Sequence, residues 1–141
     1  KIISYLNLEY IQLHGSENQS YIDEIKKQFN LKIIKKISIN SADDLVKINN
    51  YKNIDYLLFD YKPNNKELPG GNAKSFDWNL IKEKKIDFPW FISGGINEGN
   101  IKKIQNILNP NGIDLSSGVE ESPGIKSNAK IDKLIKKFYE H

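Results

Sequence analysis

The chain reads as an α/β protein of the (β/α)8 TIM-barrel type, incomplete at about five strand–helix units, and three observations predict it. Five short apolar tracts alternate with helical tracts along 141 residues, the order that gives a parallel sheet with crossover helices. The residues with chemical character, His14, Asp60, Ser93-Gly94-Gly95 and Ser116-Ser117-Gly118, fall at or just past the C-terminal ends of strands. Barrels and doubly wound sheets both hold ligands there. The last two strands each run into a small-residue turn, and a phosphate site made by the loops after the final two strands is a barrel feature, which tilts the choice to the barrel.

Glu9 to Leu13 is short, apolar and partly β-branched, and ends at His14-Gly15, as a strand entering a turn does. Asn18 to Phe29 places Ile22, Ile25 and Phe29 at helical spacing, with Glu24 ahead of Gln28 on the other face. Leu31 to Ile39 is the second strand. Ser41 to Asp44 is a polar cap sequence with acids in the first turn, ahead of Leu45, Val46 and Ile48. Ile54 to Asp60 is almost continuously apolar, as in a strand covered on both faces. Residues 61–75 are rich in Pro, Gly and Asn and read as a long loop, functional or disordered. Phe76-Asp77-Trp78 opens a short helix with Asp77 as its cap, and the two aromatic side chains read as anchors packed beneath the loop. Asp87 to Ser93 is the fourth strand, with Pro89 near its beginning; Asn97 caps a helix bearing Ile101, Ile104 and Leu108. Gly112 to Ser116 is the fifth strand. Ser122-Pro123-Gly124 is a turn, and Ile131, Leu134, Ile135 and Phe138 form the apolar stripe of the last helix.

Composition narrows the function. At 38% hydrophobic and 28% charged, the chain suits one domain over residues 1–141. No apolar run is long enough for a membrane helix and no secretion signal is evident, so a cytoplasmic location is expected by default, without a membrane partner. Absence of Cys excludes disulfides, thiolate metal sites and thiol catalysis within this chain, and two histidines make a metal site unpromising; neither metal nor cofactor is expected. All 21 basic residues are lysine. A nucleic-acid binder without a single guanidinium is disfavoured, because Arg dominates bidentate recognition of phosphate and bases. Met is absent too, which reads as a fragment or a processed chain beginning at Lys1.

Main-chain N–H groups exposed at small-residue turns can receive an oxyanion, and Gly94, Gly95 and Gly118 have no Cβ to hold one away. With Ser116 and Ser117 they form a candidate phosphate cradle; either turn alone reads equally well as a tight turn without a ligand. Asp60 reads from the residues alone as a cap or loop aspartate at a βα turn. Asp114 points to the mouth if the pleat alternates, and otherwise reads as a buried aspartate bonded to backbone or lysine. Gln12 and His14, at the end of the first strand, are pocket candidates or structural polar residues.

Four blocks in order, YIQLHG followed by Glu17, LLFD followed by a loop and FDW, FISGGIN with Asn100, and GIDLSSGVEESPGIK, resemble phosphoribosylanthranilate isomerase over residues 9–126. The resemblance implies a TIM barrel of which this chain carries units four to eight, and an Amadori rearrangement of phosphoribosylanthranilate in tryptophan biosynthesis. It implies Asp60 as the acid that protonates the furanose oxygen, keeping its proton partly through desolvation in the mouth. It makes Gly94, Gly95, Ser116, Ser117 and Gly118 the phosphate site, with Gln12, His14 and Asp114 touching a sugar-phosphate substrate. In the family a cysteine base lies in the first unit and an arginine holding the anthranilate carboxylate in the second; this chain has neither residue type and alone is expected to be inactive. A departure follows Gly70-Gly71, where the family usually carries a further glycine and Asn72-Ala73 stands here, with consequences for a mobile lid. Two further readings remain open: another phosphate-binding barrel enzyme of the indole-glycerol-phosphate synthase or ribulose-phosphate epimerase type, and a non-catalytic sugar-phosphate-binding partial barrel. An incomplete barrel leaves unpaired sheet edges, so marginal stability or self-association is expected.

Overall fold

A computed structural model describes residues 2–63 and 74–140. The Gly70-Gly71 and Asn72-Ala73 lid expectation lies outside the described residues. The elements run α1 (Ile2–Leu6), β1 (Tyr10–Leu13), α2 (Gln19–Gln28), β2 (Lys32–Ile39), a 3-10 helix (Ala42–Asn50), β3 (Tyr56–Tyr61), α3 (Asn79–Lys82), β4 (Trp90–Ile92), α4 (Ile101–Ile107) and β5 (Gly112–Ile113). A 3-10 turn (Ser117–Val119), a hairpin of β6 (Glu120–Ser122) and β7 (Ile125–Lys126), and α5 (Asn128–Tyr139) complete the order.

Strands β1 to β5 pair in sequential order, every neighbour parallel. A sequential order has no point at which the winding reverses, so right-handed crossovers all put their helices on one face, as in a barrel wall and unlike a doubly wound sheet. That face holds the main core. Ile33, Ile37 and Ile39 of β2, Leu57 and Phe59 of β3 and Ile92 of β4 pack with Ile22 and Ile25 of α2, Ile81 of α3, and Ile101 and Ile104 of α4, all nearly inaccessible. Burying each such side chain contributes roughly 1.5–3 kcal/mol. The other face carries the alternate residues: Tyr10 and Gln12, Ile34 and Lys36, Tyr56, Leu58 and Asp60, Phe91, and Gly112, of which only Leu58 is buried. On that open face Tyr56 stacks on Phe91 at 4.9 Å between centroids, and Gly112 leaves room for the Phe91 ring, which a Cβ there would meet at 2.9 Å.

Several elements differ from the sequence expectation. Helix α1 was not anticipated, being five residues without a cap signal. Ser41 does open a helical segment, but of the 3-10 type, and Val46 points to solvent. The fourth strand begins only after Pro89, which cannot donate to a ladder, and the fifth shrinks to Gly112–Ile113. Asn97 is not the cap of α4: Asn100 occupies that position, and the Asn97 side chain accepts from Gly99 N–H at 2.8 Å in the preceding turn. Asp77 lies one residue before the cap of α3 yet still accepts from Asn79 N–H at 3.0 Å. Phe76 and Trp78 are buried, while most of the loop they are expected to pack beneath lies outside the described residues. Ile135 of the last helix is exposed, and Leu134 carries the burial instead. Ser122-Pro123-Gly124 turns between β6 and β7.

Candidate functional site

The C-terminal ends of the five parallel strands form one rim, and the sequence-derived candidates line it. Asp60 is not a cap or loop residue: it lies within β3, facing the open side, where the register sets it beside Ser38. Its Oδ1 accepts from Tyr61 N–H at 2.9 Å and its Oδ2 faces the Lys36 ammonium at 3.4 Å. The carboxyl is only partly buried, next to a cation, instead of sealed in a desolvated mouth.

Next to it the chain leaves β4 through Ser93, whose N–H donates to Phe59 O at 2.8 Å, and turns at Gly94 with φ +89°. Only glycine fits there for a second reason: a Cβ would stand 3.1 Å from Asp60 Oδ1 and 3.0 Å from Tyr61 N. The turn is braced from behind, since Asn97 and Asn100 both donate side-chain N–H to Gly95 O, at 3.1 and 2.8 Å.

The turn after β5 meets this one directly. A Cβ on Gly118 would lie 1.8 Å from Ile96 O and 3.3 Å from Asn97 Cα, so the two backbones touch at Gly118. Gly94, Gly95, Ser116, Ser117 and Gly118 are thereby brought into one neighbourhood, with Ser116 exposed and Ser117 starting the 3-10 turn. The β6–β7 hairpin adds a cation that sequence reasoning did not single out: Lys126 Nζ donates to Ser116 Oγ at 3.3 Å and to Glu120 at 2.6 Å. Asp114 is exposed, with its N–H bonded to Ile92 O at 2.8 Å, which removes the buried-aspartate alternative and leaves it on the open side of β5.

Gln12 and His14 end β1 at the far edge of the rim. The Gln12 amide nitrogen bonds His14 Nε2. Partial burial and then the nearby Lys36 charge lower the His14 pKa, against smaller opposing effects of Asp60, Asp114 and Glu17. Behind them Lys35, on the opposite face of β2 and almost fully buried, donates to Gly15 O and Glu17, both at 2.8 Å, and fixes the turn that follows His14. Burial alone would raise the Glu17 pKa, but the Lys35 bond and two backbone N–H groups bring it below normal.

Lys36 and Lys126 are the residues that reading the sequence missed. The signal for Lys36 was strand alternation: in Ile33-Ile34-Lys35-Lys36-Ile37 the two lysines must face opposite sides. Among the described residues no cluster of His, Cys, Asp and Glu could hold a metal ion, and no helix is long and apolar enough to cross a membrane. A hollow of about 850 Å³ among the described residues, bounded by Ile3, Lys26, Phe29 and Asp55 among others, opens elsewhere and contains none of the candidate residues.

A singly wound parallel sheet with two touching small-residue turns and a strand-borne carboxylate beside them defines a barrel-type α/β protein. The comparisons narrow this further, for the N-(5'phosphoribosyl)anthranilate (PRA) isomerase family matches residues 1–137, and the chain belongs to that family. N-(5'-phosphoribosyl)anthranilate isomerase of Rhizobium johnstonii is 42% identical over 136 residues, covering 95% of this chain and 61% of the relative. The Rhizobium rhizogenes relative of the same name is 42% identical, again over 95% of this chain and 61% of its own. The crystal structure of phosphoribosyl anthranilate isomerase from Thermotoga maritima superposes with a TM-score of 0.81 at 30% identity, covering 97% of this chain and 64% of that one. Another, in complex with reduced 1-(o-carboxyphenylamino)-1-deoxyribulose 5-phosphate, gives 0.79 at 29% identity over 97% of this chain and 62% of that one. The chain thus spans about 61% of the length of these curated relatives. These matches favour the isomerase reading over the indole-glycerol-phosphate synthase and ribulose-phosphate epimerase readings.

Proposed function

We propose that this chain supplies the phosphate-gripping and acid-bearing part of a phosphoribosylanthranilate isomerase, which converts N-(5-phosphoribosyl)anthranilate to 1-(2-carboxyphenylamino)-1-deoxyribulose 5-phosphate in tryptophan biosynthesis. The observation that carries the reading is the contact of Gly118 with the Ile96 backbone while Gly94 lies against Asp60. It supports a single cradle for the phosphoryl group, formed by Gly94, Gly95, Ser116, Ser117 and Gly118, with the furanose extending over Asp60. Asp60 then protonates the ring oxygen, the ring opens to a Schiff base, and a base removes the proton from the adjacent carbon. Gln12, His14 and Asp114, on the rim at either side, contact the sugar and the amine.

Residues 1–141 form one partial-barrel domain in this reading, equivalent to the last five of eight βα units; sequential parallel order and the share of the relatives covered support it. A cysteine base and an arginine clamp would have to come from outside these 141 residues, which contain neither type, so the chain alone is inactive. The site of action is cytoplasmic. The test is to mix the chain with a separate polypeptide carrying the first three units of a relative and to follow isomerisation by the loss of substrate fluorescence. Activity from the mixture and from neither part alone is the expected result; a mixture that binds the substrate but never turns it over would remove the catalytic reading.

A further inference from the structure

Along β2 the side chains that face the helices stand at positions 33, 35, 37 and 39, and all four are buried. Three are isoleucine and the fourth is Lys35, 1% exposed. Withdrawing an ammonium from water is unfavourable, and replacing a buried ion pair by apolar side chains of similar volume is often neutral or stabilising. Stability alone does not select a lysine at this place. Its contacts give another reason.

The Lys35 ammonium has three targets. It donates to Gly15 O and to Glu17 Oε2, both at 2.8 Å, and lies 5.6 Å from the centroid of the Tyr51 ring, within the range of a cation–π contact. Glu17 carries the hold back to the main chain, since its Oε1 accepts from Gly15 N–H at 3.1 Å, and the Tyr51 hydroxyl donates to Glu17 O at 3.2 Å. Both polar groups of Gly15 and the carbonyl of Glu17 are thereby fixed. The side chains that fix them come from β2, from the residue after the 3-10 helix and from the turn itself. This turn starts where the rim pair ends. Leu13, which pairs with Lys35 in the sheet, points into the core, so Gln12 and His14 on either side of it face the open side together, in contact with each other. Lys35 stands behind the sheet and cannot touch a ligand on that side; what it sets is the direction in which His14 leaves the strand.

Resting on the reading above in which Gln12 and His14 contact the substrate, we propose that Lys35 is a positioning residue: by clamping the Gly15–Glu17 turn from within the core, it presents Gln12 and His14 to the ligand as a preset pair. Side chains that are already ordered need not be immobilised at the moment of binding, and affinity rises accordingly. The buried ion pair is kept for this effect at the rim and not for its contribution to folding.

The test compares the 141-residue chain with the double variant Lys35→Met/Glu17→Gln, in which neutral side chains of similar length replace the pair. Reduced 1-(o-carboxyphenylamino)-1-deoxyribulose 5-phosphate is expected to bind the variant about tenfold more weakly by calorimetry, the cost of ordering one or two side chains. Inorganic phosphate, a probe of the cradle alone, should bind within about twofold. In the same variant the nuclear Overhauser contact between the Gln12 side-chain amide and the His14 ring is expected to disappear. Because the chain has no Cys, Lys35→Cys can be alkylated with bromoethylamine in urea and refolded, which returns an ammonium at nearly the same reach. Both readouts should then recover, whereas the same variant capped with iodoacetamide stays impaired; the unaltered chain taken through urea is the control. This alkylated pair carries the comparison where a circular-dichroism melt shows the double variant to be unfolded. A folded double variant that keeps both the contact and the affinity, a loss of affinity equal for both ligands, or an aminoethylated chain that recovers neither readout overturns the assignment. Failure of the unaltered chain to bind either ligand would sink the site reading instead, and the Gln12–His14 contact would still decide whether Lys35 positions the pair.

Discussion

The acid role proposed for Asp60 asks for a fixed direction of its carboxyl more than for a special environment, and Asp60 has one. The Tyr61 N–H holds Oδ1, the glycine turn closes on the same oxygen, and Oδ2 alone faces Lys36. Asp60→Asn keeps the shape and most of these contacts but has no acidic proton to give. In the reconstituted barrel this variant is expected to lower kcat by roughly 10²–10⁴-fold, the usual worth of general acid catalysis, with ribose 5-phosphate affinity within about twofold. Steady-state kinetics beside calorimetry separates the two quantities, and a kcat within tenfold of the unaltered chain would remove Asp60 from the role of acid. The aspartate and the glycines were legible in the sequence because turn chemistry confines such residues to few environments. Lys36 was not, because a lysine in an apolar strand reads as solvated until the sheet shows which face is covered. Asp114 was half legible: alternation gave its side of β5, but its exposure depends on neighbours the sequence does not place.

Elements carry the proposed cradle and much of the expected pH dependence. Gly118 joins two loops by backbone contact, and no side chain stands between them that could yield. Gly118→Ala therefore has to part the turns; a loss of about 1–3 kcal/mol of stability and at least tenfold weaker ribose 5-phosphate binding is expected, read by urea melts and calorimetry. Unchanged affinity would mean that the two turns do not act together. The 3-10 helix after β2 is held by Asp44, whose carboxylate accepts from Asn40 and Ser41 N–H at 3.0 and 3.2 Å and from the Lys47 and Lys62 ammoniums at 2.8 and 3.0 Å. Burial alone would raise its pKa, but these four donors pull it well below the ordinary value. Asp55, half-buried and paired with Lys26 and Ile33 N–H, and Glu17, partnered by Lys35, are lowered too. A lowered folded pKa means stability fully present above the unfolded value, about 4, and lost as pH falls below it. Urea midpoints are expected to be level from pH 7 to about 5 and to fall steeply below 4, with Asp44→Asn costing roughly 1–2 kcal/mol at pH 7 and flattening the fall. A midpoint insensitive to acid would show that these pairs are no stronger than solvent contacts. Strand–helix alternation was legible here because β2, β3 and α2 follow strong periods; α1, the β6–β7 hairpin and the shortness of β5 were not, since two- to five-residue elements are set by what they pack against.

For the whole molecule the decisive fact is what the sheet leaves uncovered. In a closed barrel the first and last strands pair and the inner side chains pack in layers. Here β1 and β5 are the two margins of a five-stranded sheet, and Tyr10, 42% exposed, stands on its open face with Tyr56 and Phe91 only partly covered. Tyr5, Leu6 and Leu8 are exposed as well, in the segment leading into β1. Unpaired N–H and C=O groups beside apolar side chains form a template for another chain, and neither a proline nor a bulge interrupts Tyr10–Leu13 to prevent it. The chain alone is therefore expected to self-associate, its melting temperature rising with concentration because association stabilises only the folded form. Adding the first three βα units of a relative should suppress that association, since they would compete for the same margins and face. Sedimentation velocity across a hundredfold range of concentration, with and without the added units, reads both effects. A single monomeric boundary and a concentration-independent melt for the chain by itself would show that the open face is satisfied from within, and with it would go the reason for expecting a complementing segment to bind there at all.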